Sequence, residues 1–212
     1  MKILLTQTLL THEQAYKQKL FSAYDWHQFA WKTFPNLSQD SRHFLTRLYE
    51  NQEGFRLLIQ SEIPPACPEI SLLSWESKEI PSSFWQRDSF RFSLLANPSK
   101  KVRSNSQGKT LKNSRRVALH KREDLLEWMN RKSTLHGFTL LQPESLSIIP
   151  QPNQVFRKKS TKDSKPHCGK HTASEFIGNL KVNDTEKFLK TIRLGIGSAK
   201  AFGFGMLCLS PL

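Results

Sequence analysis

The stretch "NDTEKFLKTIRLGIGSAKAFGFGMLCL", residues 183–209, decides how the second half of this chain folds. Asn183 or Asp184 caps a helix that Gly195 ends, and "FGFGMLCL" at 202–209 reads as a closing strand in which Gly203 and Gly205 alternate. Working backwards, "EFIGNLKV" (175–182) and "FTLLQPESLSII" (138–149) read as strands. "REDLLEWMNRKSTLHG" (122–137) is an amphipathic helix stopped by Gly137, and "SFRFSLLANP" (89–98) is a strand before it. The order is strand-helix-strand-strand-helix-strand, the ferredoxin-like arrangement.

The first half carries a looser copy of that order. "KILLTQTLL" (2–10) is a strand, and "FSAYDWHQFAWKTF" (21–34) is a helix with Ser22 as N-cap, Asp25 completing a capping box and Pro35 stopping it. "HFLTRLYE" (43–50) and "GFRLLIQS" (54–61) alternate around "NQEG" as a hairpin, and "SLLSWES" (71–77) is a further strand. The expected fold is therefore α+β, two tandem ferredoxin-like domains, residues 1–85 and 86–212.

The chain has 212 residues, 37% of them hydrophobic, with 14 Phe and 5 Trp, enough to bury real cores. No apolar run approaches membrane-span length, and Thr6, Gln7 and Thr8 interrupt the first apolar stretch, so neither a membrane partner nor a signal peptide is expected. Three scattered cysteines, Cys67, Cys168 and Cys208, suit a reducing cytoplasm. The net charge is +14 and unevenly held: residues 1–90 carry 9 Lys/Arg and 10 Asp/Glu, residues 91–212 carry 23 and 8. A half-chain excess of this kind points to a polyanion, most simply nucleic acid.

Two segments concentrate the charge. Lys100, Lys101, Arg103, Lys109, Lys112, Arg115, Arg116, Lys121 and Arg122 fall within 23 residues that contain no acid and read as a long loop able to neutralise several phosphates. "FRKKSTKDSKPHCGKH" (156–171) reads as a basic hairpin tip, with Arg157, Lys158 and Lys159 as contacts for a nucleic-acid groove. His167, Cys168 and His171 lack the spacing of a usual zinc site, so no metal and no cofactor is expected.

"GIGSAKAFGFG" (195–205) fits neither common phosphate-binding motif. A P-loop needs Ser or Thr after its lysine, whereas Lys200 precedes Ala201; a dinucleotide fingerprint needs a third glycine where Lys200 stands. Gly195 and Gly197 turn freely after the helix and expose amides beside Ser198, Gly203 and Gly205 admit close backbone approach, and Lys200 adds a charge for phosphate. In the first helix Tyr24 and His27 stand three residues apart on one face, a phenol and an imidazole suited to acid and base work. Core packing is the competing reading of that pair, and Lys32 is turned away from His27 while the helix continues.

"GIGSAKAFGFG" resembles the C-terminal glycine-rich loop of the CRISPR RNA-processing endoribonucleases, particularly the CasE type of Cascade complexes. "YDWH" (24–27) is similar to that family's early Y-x-x-H, and "FRFSLLANPSKKV" and "GFTL" agree in order and spacing over nearly the whole chain. The resemblance implies a metal-independent cut of the repeat stem-loop in CRISPR precursor RNA. The 2′-hydroxyl would attack, leaving a cyclic phosphate and a 5′-hydroxyl. His27 would be the main proton-transfer residue and Tyr24 its partner, with acid and base unassigned. The implied partners are the repeat RNA and other Cascade subunits. Ser198 departs from the family, which usually has a basic residue there. A non-catalytic RNA-binding protein, or a structural subunit that has lost cleavage, would share the charge and the fold.

Overall fold

The structure, a computed structural model, describes residues 2–36, 43–104, 110–158 and 167–212. Two antiparallel sheets organise the chain. The first contains β1 (Leu4–Leu10), β2 (Phe44–Glu50), β3 (Phe55–Ser61) and β4 (Ser74–Glu79), in the order β2-β3-β1-β4. That is the ferredoxin-like order with one helical crossover, α2 (Ala23–Lys32), preceded by the short α1 (His12–Lys17). Residues 62–73, where the second crossover helix would stand, form no helix; Pro64, Pro65 and Pro68 withhold the amides it would need.

A turn of helix, α3 (Ser82–Trp85), leads to the second sheet. Its strands are β5 (Ser89–Ala96), β8 (Phe138–Leu141), β9 (Ser147–Lys158), β10 (His167–Val182) and β11 (Leu207–Pro211), in the order β11-β5-β10-β8, with β9 also on β10. Helices α4 (Arg122–Leu135) and α5 (Thr185–Leu194) make the two crossovers. The two tandem ferredoxin-like units of the sequence are present.

Three elements differ from their sequence reading. The basic segment from Lys100 is a two-stranded ribbon, β6 (Ser99–Ser104) and β7 (Thr110–Ala118), pairing Lys100 with Val117 and Lys101 with Arg116. Lys121 and Arg122 do not belong to it: they begin α4, where Arg122 donates to the Leu146 carbonyl. "FTLLQPESLSII" is not one strand, because Gln142 adopts φ 53° and Pro143 opens a 3-10 turn between β8 and β9. The last strand starts only at Leu207; Gly203 and Gly205, with φ of 78° and 88°, lie before it in a loop that L side chains rarely tolerate.

Each unit has its own apolar cluster. Trp26, Phe29, Ala30, Phe44, Leu57 and Ile59 are buried between α2 and the first sheet; Phe90, Phe92, Leu94, Trp128, Phe176, Phe188 and Ile192 are buried between α4, α5 and the second. Ile3 crosses over and packs in the second cluster with Ile80, Phe84 and Trp85 beside it. In β2 the first four residues are buried on both faces. Phe44 packs under α2, while Leu45 and Arg47, by strand alternation, face the other unit. No helix among the described residues is long and apolar enough to cross a membrane.

Candidate functional site

Helix α2 begins with the capping box its sequence predicts. Ser22 Oγ accepts from the Asp25 amide at 3.3 Å, and Asp25 Oδ2 accepts from the Ser22 amide at 2.8 Å and the Phe21 amide at 3.2 Å. Asp25 is thus engaged in fixing the helix start. One turn on, His27 is 7% exposed, with its ring 5.7 Å from Phe44 and 6.1 Å from Trp31. The Trp31 indole donates to His27 Nε2 at 2.9 Å. An indole N–H can only donate, so Nε2 carries a lone pair and the imidazole proton sits on Nδ1. Tyr24, on the same helix, is 50% exposed. Lys32 ends the helix on another side, lining a hollow with Asp25, Gln28 and Ile70.

The glycine segment is a closed loop with a backbone neck. Gly195 ends α5 with φ 71° and donates to the Thr191 carbonyl; Ile196 N–H donates to the Gly205 carbonyl at 2.9 Å, and Gly205 N–H to the Leu95 carbonyl at 2.8 Å. A Cβ at Gly195 would lie 2.8 Å from the Gly205 oxygen, and one at Gly205 would lie 2.6 Å from the Ile196 oxygen. The close approach that these two glycines permit is therefore made by the protein's own backbone. At Gly203 a Cβ would meet only the Thr46 oxygen at 3.8 Å, so conformation, not space, requires glycine there.

Beyond the neck, Lys200–Phe202 form a 3-10 turn that packs against α2 and β2. The Lys200 ammonium donates to the Leu194 carbonyl at 2.6 Å, at the negative end of α5. Phe202 lies 4.9 Å, ring to ring, from His171 on β10. The fold thus brings the loop of the second unit to the helix of the first that carries Tyr24 and His27.

On the other side of the loop, Gly197 and Ser198 line a groove of about 620 Å³ with Lys100, Lys101, Arg116, Trp128, Arg131 and Lys132. The first basic cluster and the glycine loop, 80 or more residues apart in sequence, share this wall. Gly197 sits where a Cβ would be 3.6 Å from the Trp128 ring, and Lys132 Nζ lies 5.8 Å from that ring's centroid. Burial foremost, and then the positive charge of the neighbouring Arg131 and Arg116, push the Lys132 ammonium below its ordinary range. Asp124 partly offsets it, 3.8 Å from Lys100.

Arg131 and Lys132 read in the sequence only as the polar face of an amphipathic helix. Their adjacency within a basic half was the available signal. Arg103, Lys112 and Arg115 lie on the ribbon strands and Arg157 and Lys158 at the end of β9; Lys109 and Lys159 lie outside the described residues. His171, weighed above for zinc, has its ring nitrogen 3.1 Å from the Asn97 amide.

The profile of the CRISPR associated protein family matches residues 4–211. The "CRISPR system Cascade subunit CasE" of Escherichia coli (strain K12) is 29% identical over 194 residues, covering 89% of this chain and 92% of that protein. The "CRISPR-associated endoribonuclease Cse3" of Thermus thermophilus is 32% identical over 124 residues, covering 57% and 55%. Thermus thermophilus Cse3 bound to an RNA representing a pre-cleavage complex superposes with a TM-score of 0.75, 26% identity and full coverage of both chains. By profile, sequence and fold together, the chain belongs to the CRISPR-associated protein family, in its CasE type.

Proposed function

We propose that this protein is a metal-independent endoribonuclease that cleaves CRISPR precursor RNA at the repeat stem-loop. It would then stay on its product as a Cascade subunit in the cytoplasm. The observation that carries the reading is the meeting of the Lys200–Phe202 turn with α2, where Tyr24 and His27 stand, beside a basic groove walled by the same loop. A stem held electrostatically in that groove brings its backbone toward α2. The relatives named for Cascade and for endoribonuclease activity support the same reading.

In the chemistry, the 2′-hydroxyl gives up its proton and its oxygen attacks the adjacent phosphorus. The bond to the 5′-oxygen breaks, and that oxygen takes a proton. The products are a 2′,3′-cyclic phosphate and a 5′-hydroxyl. His27 is the principal proton carrier and Tyr24 its partner. The imidazole is neutral and mostly covered, so it reaches the RNA by releasing the Trp31 indole or by exchanging through Nδ1. Catalytic hydrogen bonds commonly form only in the substrate complex. No metal step is required: Asp25, the carboxylate nearest the pair in sequence, is committed to the helix cap.

The burial of His27 also favours a second reading, a packed histidine in a non-catalytic RNA-binding subunit. Incubation with repeat hairpin RNA in excess EDTA separates the two. Cleavage to a cyclic phosphate, blocked by 2′-deoxy substitution at the scissile nucleotide while binding persists, is the expected result. Activity abolished by EDTA and restored by magnesium, or normal cleavage of the 2′-deoxy RNA, refutes the mechanism.

A further inference from the structure

Between the two sheets lies a polar contact that none of the chemistry above uses. Arg47 on β2 meets Glu175 on β10 at 2.7 Å, with side chains only 5% and 15% exposed. Ser93 of β5 donates to Glu175 Oε1 at 2.8 Å and Gln151 of β9 to Oε2 at 3.2 Å, so two neighbouring strands of the second unit hold the carboxylate. The Arg47 guanidinium lies 5.0 Å from the Tyr49 ring centroid, and its Nε and Nη1 are buried with no acceptor among the described residues. Among the described residues every other ion pair is at least 35% exposed on both sides.

A buried pair of this kind contributes little net stability, because desolvation offsets attraction, but it is directional. Its direction matters here. Three residues before Arg47, the Phe44 ring packs on His27 and, 5.1 Å away, on Trp31. Four residues before Glu175, the His171 ring packs on Phe202 of the 3-10 turn. The turn in turn packs on α2 and β2. The contacts close a circuit: α2 to β2, β2 through Arg47–Glu175 to β10, β10 to the turn, and the turn back to α2.

We propose that Arg47 and Glu175 are positioning residues: their ion pair fixes the register of the glycine-loop turn against the helix that carries Tyr24 and His27. The assignment rests on the proposed function for its catalytic consequence, though not for its structural one. A misplacement of about 1 Å at a reacting centre is worth ~10²-fold in rate. Arg47→Met should therefore slow single-turnover cleavage of repeat hairpin RNA by about that factor at saturating protein. RNA affinity should change by less than ~threefold, because the phosphate contacts of the groove remain. Deuterium uptake at backbone amides 196–206, measured without RNA, should rise. In the double variant Arg47→Met/Glu175→Leu, an apolar pair removes the uncompensated buried charge. The melting temperature should recover while cleavage stays slow.

A double variant that regains both stability and rate overturns the proposal, as does a folded Arg47→Met that cleaves and exchanges like the wild type. If Arg47→Met does not fold, Glu175→Gln, which keeps the side-chain shape, decides by the same criteria. If the wild type cleaves no repeat RNA, the proposed function fails, and the exchange measurement alone decides: increased uptake supports the positioning role and unchanged uptake refutes it.

Discussion

Replacing His27 by alanine and, separately, by glutamine distinguishes a proton carrier from a packed core residue. Alanine leaves the Trp31 N–H, which now donates to Nε2 at 2.9 Å, without its acceptor in a partly buried setting. An orphaned donor of this kind destabilises by ~1–3 kcal/mol. For a chain of this size each kcal/mol lowers Tm by ~2–4 °C, so His27→Ala should melt roughly 2–12 °C below the wild type. Glutamine places an amide oxygen near the position of Nε2 and can accept from the indole, so His27→Gln should recover most of that loss. Neither residue titrates near neutral pH. Single-turnover cleavage at saturating protein should therefore fall ~10²- to 10⁴-fold in both variants. Differential scanning fluorimetry and a denaturing-gel time course on the same preparations supply the two numbers. A His27→Gln protein that melts near the wild type and cleaves within tenfold of its rate would remove His27 from the chemistry.

Three further outcomes follow from the groove, the loop and a half-buried imidazole. Arg116→Ala combined with Arg131→Ala should reduce the slope of log K against log salt by ~1–2, measured by filter binding from low to moderate salt; an unchanged slope would leave the groove without a phosphate. Gly205→Val should abolish soluble folded protein, since its Cβ would sit 2.6 Å from the Ile196 oxygen, whereas Gly203→Ala should fold with a loss of ~1–2 kcal/mol from its φ of 78°; equal behaviour of the two would refute the neck. His136 accepts from or donates to Thr191 Oγ1 at 2.7 Å, and burial, with Lys132 and Lys200 nearby, pushes its imidazole down to about 4. The folded value lies below the ordinary 6.5, so the unfolded chain binds the extra proton; this contribution is complete above pH 6.5 and is lost as pH falls toward 4. Melting curves should show a shallower loss over that window for His136→Asn than for the wild type.

Much of the frame was legible from local signals because those signals are local in cause. Ser22 and Asp25 close their own cap, Asp184 accepts from the Lys187 amide, and Gly137 and Gly195 stop helices with positive φ. The capping box of Thr11 and Gln14 that starts α1 was equally readable, though the run is too short to show helical periodicity. The ribbon β6–β7 was not: "KKVRS" and "NSRRVA" lack apolar alternation, and the two strands form a separate two-stranded sheet. β9 was obscured by Pro150 and Pro152, tolerable because it bonds to β10 alone, on one edge. For the site, "YDWH" gave the helix face, but nothing in "FLTRLYE" marked Arg47 for a carboxylate 128 positions away. Arg131 and Lys132 needed the loop's return to Trp128 before they faced anything.

The double-sided burial of β2 has a consequence for how the chain is made. Translation delivers the first unit while Leu45, Arg47 and Gln60 still lack their partners, and Gln60 finds its acceptor, the Ile192 carbonyl, only on α5, the later crossover helix of the second unit. Ile3, Phe84 and Trp85 likewise wait for Phe90 and Phe188. The nascent first unit is thus an incompletely covered intermediate whose apolar shelf is open to chaperones or to self-association until the second unit has been made. A fragment cut after α3 would inherit that shelf permanently, so expressing the halves separately should produce aggregates where co-expression yields a reassembled pair.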